Sequence, residues 1–330
     1  MGDRPVRIIS NLKALGRAAE ADGRATHEHV AGVDSVPEFI RRCLRSDVVV
    51  VNTDHRLLRA ACLARWLPGA RFRLVAVDYV LRVPSTARDR LSARFHKLLF
   101  SRVDRFVLYF KRLDGYRRHF GIGPDRAAFV PFKVNDLEKI RERPDPTPDG
   151  DYVMCAGRTM RDVDTFVEAV RRSGCPGLLH QQKAETMAEH GTRAWSGERP
   201  PNLRIVVDES HSHDVFLDFI ARARIVVVPR FRDDIGPAGI ATYLVSMALN
   251  KCVILSQGPG VDDVLTDQAA IVPPEDPEAL AREMRRLWDD PQARAELAAR
   301  GRAYAMSLGG EDRLMSDILR ISLDGLDEKS

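Results

Sequence analysis

Residues 239–257, GIATYLVSMALNKCVILSQ, read as a helix over about 240–249 that runs directly into a buried strand, CVILS (252–256). A helix feeding a continuous apolar strand is the repeating unit of a parallel sheet covered on both faces. Upstream lies a second strand of this kind, RIVVVP (224–229). The loop between them carries Gly236 and Gly239 just before the helix begins near Ile240. Downstream, AAIVPP (269–274) adds a short strand. DPEALAREMRRLWDD (276–290) follows as a helix, with Asp276 at the N-cap and Pro277 at the first helical position.

The same alternation extends in both directions. YVMCAG (152–157), GLLH (177–180) and LRIVVD (203–208) are strands, with helices at DVDTFVEAVRR (162–172) and VFLDFIARA (215–223). In the first half the strands are VRIIS (6–10), DVVVVN (47–52), RLVAVDYV (73–80), DRFVLYF (104–110) and AAFVPF (127–132). Helices are predicted at 37–45, 53–67 (with Thr53 as N-cap), 86–101 and 111–120. RERPDPTPDGD (141–151), with three prolines and no apolar residue, interrupts the pattern as a linker. The expected organisation is a Rossmann-like domain over 1–140, a linker over 141–150 and a second Rossmann-like domain over 151–310. A C-terminal helix over 311–330 is expected to pack back across the linker. Two doubly wound α/β halves would face each other across a cleft, with ligands outside the carboxyl ends of the strands.

The chain's 330 residues suit two domains of about 150 residues each. Hydrophobic residues make up 44% and charged residues 30%, a soluble globular profile. No apolar run reaches the ~18 residues of a membrane span and the N-terminus lacks a signal-peptide core, so a cytoplasmic location is expected. The five cysteines are scattered without a CxxC, which points to packing rather than zinc or redox chemistry. Net charge is only +4, but between Arg82 and Arg118 eleven Lys or Arg face three Asp. The helix at 86–101 interleaves Arg88, Arg90, Arg94 and Lys97 with Leu91, Phe95, Leu98 and Leu99 at i, i+4, i+7 and i+8. Such a face either packs on its own sheet or lies on an anionic membrane as a peripheral contact. No aromatic stacking array accompanies the charge, so nucleic acid is not an expected partner.

Chemistry concentrates at three places. In AGRTMRDVDTF a strand ends at Gly157, and Arg158 and Arg161 precede a helix starting near Asp162. Two guanidinium groups beside a helix N-terminus suit a diphosphate; the alternative is surface arginines paired with Asp162 and Asp164. In PRFRDDIGPAGIATYL (229–244) the glycine loop lets backbone N–H groups approach a phosphate or sugar. In DESHSHD (208–214), His211 and His213 invite a metal reading, but no third ligand has motif spacing, and the segment's place between a strand and a helix favours a helix-capping loop. Asp233-Asp234 is open to the same two readings. Asp78 ends a first-half strand, where it would orient an acceptor hydroxyl or simply sit buried and hydrogen-bonded.

Taken in order, these pieces resemble the GT-B glycosyltransferases, specifically glycosyltransferase family 4, best over about 150–306. GRTMRDVDTFVEAV resembles the family's strand-Gly-Arg-helix segment, with Arg158 at the motif arginine and Arg161 where lysine is usual. AGIATYLVSMALNKCVILSQGPGVDDVLT resembles its "AG…LLEAMALGKPVI…G" block, and IVPPEDPEALAREMRRLWDDPQARAELAARGRAYA its C-terminal close. The resemblance implies a retaining, metal-independent, hexosyltransferase-like enzyme that takes a nucleotide-diphosphate sugar as donor substrate and needs no further cofactor. The acceptor would be a small molecule or a lipid-linked glycan. Arg158, Arg161 and Asp78 would carry catalysis, and Gly157, Gly236, Ala238, Gly239, Ile240, Thr242 and His211 would bind the donor. Two departures stand out: the family's paired glutamates fall on Pro237 and Val245. They support an alternative, a non-catalytic GT-B-like protein that binds a nucleotide or a partner.

Overall fold

The computed structural model describes residues 4–32, 35–143, 150–157, 159–192, 195–210 and 212–326. The chain divides into two compact units, 1–131 together with 311–330, and 132–310. The first unit runs β1 (Val6–Ser10), α1 (Leu15–Asp22), β2 (Ala25–His29), α2 (Val36–Arg45), β3 (Val48–Asn52) and α3 (His55–Ala64). It continues through β4 (Arg73–Val77), α4 (Ala87–Phe100), β5 (Arg105–Leu108), α5 (Asp114–Phe120) and β6 (Ala127–Phe129). The second runs α6 (Leu137–Arg141), β7 (Val153–Cys155), α7 (Val163–Ser173), β8 (Gly177–Gln181), α8 (Ala184–Glu189), β9 (Leu203–Val207) and α9 (His213–Ala221). Then come β10 (Ile225–Val228), α10 (Ile240–Ala248), β11 (Cys252–Ser256), β12 (Ala270–Val272), α11 (Pro277–Asp289) and α12 (Pro291–Leu308). The chain ends in the first unit with α13 (Glu311–Leu323).

Each unit holds a six-stranded, all-parallel sheet. The orders are β2-β1-β3-β4-β5-β6 and β12-β11-β10-β7-β8-β9. In the second, the chain moves outward from β7 through β8 and β9, then returns to lay β10 on the other side of β7, with Val153 opposite Ile225. The order therefore reverses between β7 and β10, the place at the carboxyl ends of the strands where ligands of doubly wound sheets bind. In the first sheet the reversal falls between β1 and β3. There Asn11 and Asn52 lock the strand ends together: the Asn11 amide donates to the Asn52 carbonyl, and its oxygen accepts from the Asn52 N–H, both at 2.8 Å.

The residues explain the layering. Val48 to Val51 and Ile225 to Val228 are buried along their whole length, as a strand covered on both faces requires. Right-handed crossovers put α2, α3, α4 and α5 on one face of the first sheet and α1 on the other, where α13 joins it. β2, ATHEH, has only Ala25 buried; as an edge strand it needs no apolar run, which hides it from hydropathy. The predicted N-cap of α3 is displaced by one residue. Thr53 adopts a left-handed φ of 52° unsuited to capping, and the Asp54 side chain instead accepts from the N–H groups of Arg56 and Leu57. The strand expected over 73–80 stops at Val77, because Asp78 takes a left-handed φ of 53°. All five cysteines are buried and free. No helix among the described residues is long and apolar enough to cross a membrane.

Candidate functional site

At the reversal point of the second sheet, two arginines leave adjacent strands and turn inward. After β7 the chain passes Ala156 and Gly157, takes a left-handed turn at Met160 and reaches Arg161. After β10 it passes Pro229 to Arg230. The Arg161 and Arg230 backbones form an antiparallel bridge that ties the two loops together. Both side chains are enclosed, at 2% and 1% exposure. Arg230 has its counter-charge: its Nη2 lies 3.0 Å from Asp234 Oδ2, and it also donates to the carbonyls of Gly236 (2.7 Å) and Pro259 (2.8 Å). Burial lowers the Arg230 guanidinium and raises the Asp234 carboxyl, each opposed by the charge of the other.

Arg161 is different. Its Nε donates to the Ala156 carbonyl at 2.9 Å, Nη1 to the Thr159 carbonyl at 2.6 Å and Nη2 to Thr242 Oγ1 at 3.3 Å. None of these groups is charged, and among the described residues no carboxylate pairs with it. Burial pushes its guanidinium down to about 10, where it still carries its charge at neutral pH; Arg230 adds to the depression and Asp234 opposes it. Arg161 is thus an enclosed guanidinium with no carboxylate paired to it among the described residues. An unpaired buried cation is costly unless an anion joins it.

The N-terminus of α10 meets this cation. Gly239 caps the helix with a φ of 86° and no side chain. A Cβ there would fall 2.4 Å from Val228 Cγ1 and 3.0 Å from Arg161 Nη2. Gly157, at φ 97°, is as tight, with a Cβ position 2.5 Å from Arg161 Nη2 and 3.0 Å from Thr242 Oγ1. The N–H groups of Ile240, Ala241 and Thr242 precede the first helical hydrogen bond, Tyr243 N–H to the Gly239 carbonyl. This end can therefore offer donors and a positive dipole end to an anion. The start of α7 is already occupied, since the Asp162 carboxylate caps it through the Thr165 N–H at 3.1 Å.

The structure thus brings Gly157, Arg161, Gly239, Ile240 and Thr242 together. Gly236 and Ala238 lie in the loop that Arg230 holds, and the Gly236 N–H is taken by Asp234 Oδ1 at 3.1 Å. Arg158 and His211 lie outside the described residues. His213 Nδ1 lies 3.1 Å from Asp136 Oδ2, and Asp234 faces Arg230 rather than Asp233. Among the described residues no three His, Cys, Asp or Glu side chains group to hold a metal ion. Val245, at 4% exposure, is part of the core. Sequence reasoning missed Arg230. Its signal was an arginine directly after a fully apolar strand and one proline, a place where a charge has to be neutralised locally.

Asp78 lies in the first unit, just past β4. Its N–H donates to the Val107 carbonyl at 3.0 Å, and the next turn is pinned by Tyr116, whose hydroxyl donates to the Tyr79 carbonyl and accepts from Leu81 N–H. The carboxyl itself is half-buried, with no hydrogen-bond or ion-pair partner among the described residues. Burial pushes it up to about 7.

Two doubly wound parallel sheets, each reversing strand order at one point, define the architecture: this is the GT-B fold. Residues 207–304, from the end of β9 into α12, match the family described as Glycosyl transferases group 1. The match begins downstream of Arg161, so it covers α10 and its loop but not the β7 turn. No curated protein sequence matches the chain. Among solved structures, a glycosyltransferase from Rickettsia africae is similar with a TM-score of 0.68 at 10% identity, covering 98% of this chain and 99% of that one. The Anabaena protein HepE in complex with UDP gives 0.66 at 13% identity, over 98% and 100%. Sucrose-phosphate synthase from Thermosynechococcus elongatus gives 0.67 at 15% identity, over 99% and 100%.

Proposed function

We propose that this protein transfers a sugar from a nucleotide-diphosphate sugar to an acceptor hydroxyl, with retention of anomeric configuration and without a metal, in the manner of glycosyltransferase family 4. The observation that carries the reading is the buried Arg161 cation, without a carboxylate partner, at the open N-terminus of α10. Cleavage of the sugar–phosphate bond builds negative charge on the departing diphosphate while the sugar becomes oxocarbenium-like. A fixed guanidinium and helix N–H groups stabilise that charge most at the transition state. Arg158 is assigned to the same diphosphate. Asp78 is assigned to the acceptor, as the group that orients the hydroxyl and takes its proton, since a carboxyl near 7 can do both at neutral pH. A uridine nucleotide is the first donor to test, because HepE structures hold UDP and UDP-glucose. The protein is assigned to the cytoplasm.

The test is a melting experiment with UDP, GDP, ADP and dTDP and their sugars. A ligand at about 100 times its Kd should stabilise the fold by about 2.7 kcal/mol. Arg161→Met should abolish that stabilisation and lower turnover about 100-fold. Because Arg161 also donates to the Ala156 and Thr159 carbonyls and to Thr242, Arg161→Met should itself cost about 1–3 kcal/mol without ligand, and loss of the nucleotide-induced shift is the readout that a purely structural role would not give. Silence across the nucleotide series removes the proposal. Pro237 and the buried Val245 favour a second reading, a protein that binds the nucleotide without turnover. Stabilisation by a nucleotide sugar, with neither hydrolysis nor transfer, would establish it.

A further inference from the structure

We infer that the outer surface of α3 and α4 in the first unit is a docking surface for an anionic lipid bilayer, an inference independent of the sugar-transfer reading. α4 turns only Ala93, Leu99 and Phe100 inward. Leu91, Phe95 and Leu98 form a stripe along its outer side, at 68%, 53% and 54% exposure. The end of α3 and the turn after it add Leu63, Trp66 and Leu67, all exposed. The helices are neighbours: Arg59 Nη2 lies 2.9 Å from His96 Nε2, and the Arg102 guanidinium sits 3.8 Å over the Trp66 ring. These six account for most of the ten large apolar side chains exposed among the described residues. An apolar surface this concentrated marks a contact.

The charges beside it select the partner. Arg88, Arg90, Arg94 and Lys97 are exposed on α4, as are Arg56 and Arg59 on α3. None of the six has an ion-pair partner among the described residues, whereas arginines on other helices pair within a turn, as Arg171 and Arg172 do with Glu168. The one acid of α4, Asp89, is consumed in a capping box with Thr86. Leu and Phe between unpaired cations, with a Trp at the margin, match the interfacial layer of a bilayer. The apolar side chains enter the acyl boundary there, and the cations meet lipid phosphates. A protein partner would need a matching acidic rim; an anionic bilayer supplies one everywhere.

The experiment is co-sedimentation of the full chain with phosphatidylcholine vesicles and with vesicles carrying phosphatidylglycerol. The wild type should bind the anionic vesicles at low salt and the neutral ones at least about tenfold less, and added salt should release it. Replacing Arg88, Arg90, Arg94 and Lys97 by Gln should weaken binding by about two to three orders of magnitude, at roughly fivefold per cation near the surface. Phe95→Ser with Leu98→Ser should weaken it without changing the salt dependence. All these side chains are exposed, so circular dichroism should be unchanged. Failure to bind anionic vesicles at low salt overturns the inference, as does equal binding by the glutamine variant. Light scattering supplies a third reading. A lipid-free dimer that Phe95→Ser converts to a monomer would assign the surface to a second copy and overturn the bilayer. The nucleotide melting response of the second unit is read separately and does not depend on any outcome here.

Discussion

At the scale of the residue, Asp78 and Gly239 make the sharpest tests. A carboxyl moved from its ordinary 3.8 to about 7 binds a proton more tightly in the folded protein than in the unfolded chain. Between those values the native state holds more protons, so stability falls as pH rises through the window, by as much as about 4 kcal/mol. Asp78→Asn removes the penalty. The variant should match the wild type near pH 4 and melt progressively higher than it up to pH 8. The wild-type rate profile should show an ionisation near 7, and the variant should turn over more slowly and lack it. A melting difference independent of pH would remove Asp78 as a titrating group. Gly239→Ala combines a strained φ with a clash against Val228 and Arg161 and should cost about 2–4 kcal/mol. Gly23, also at positive φ, faces open space, so Gly23→Ala should cost only about 1 kcal/mol, its backbone strain. Urea denaturation of the pair isolates the steric part. Nucleotide affinity should fall only in the Gly239 variant.

At the scale of the element, the helix starts carry the test. Asp54, not Thr53, caps α3, so Asp54→Ala should cost about 1 kcal/mol by urea denaturation, and Thr53→Ala far less. The reverse order would place the cap where the sequence put it. That one-residue slip shows where the sequence was legible. The strands β3, β4, β10 and β11 could be read because a strand covered on both faces is a near-continuous apolar run. Asp276 and Pro277 could be read because both act on their own helix. Thr53 misled because its conformation is set by pairing with Val77, across the sheet. The site was half legible for the same reason. Glycines before a helix are a local signal that singles out Gly157 and Gly239, whereas Thr242 is reached only through the family resemblance. That Arg161 reaches Thr242, 81 residues on, follows only from β10 crossing back beside β7. Nothing local distinguishes Arg161 from a solvated arginine, and only its place after an apolar strand and one proline marks Arg230.

At the scale of the whole molecule, the chain enters the second unit at Phe132 and returns to the first with α13. This last helix is no surface appendage. Leu314, Met315, Ile318 and Leu319 are buried, and α13 packs on α1 and beneath β3 and β5, opposite the face carrying α3 and α4. The first sheet therefore depends on residues that follow the whole of the second unit. The groups proposed to hold the diphosphate, in contrast, all belong to the second. Two perturbations should then separate in calorimetry. Ile318→Ala, at a side chain with no exposure, should destabilise the first unit by about 2–5 kcal/mol and leave the nucleotide response intact. A saturating nucleotide should raise the transition of the second unit alone. In the variant the scan should show two transitions, the lower insensitive to nucleotide and the upper moving with it. A single transition that shifts with both would mean that the units unfold together, so that an anion held at Arg161 also stabilises the sheet that carries Asp78.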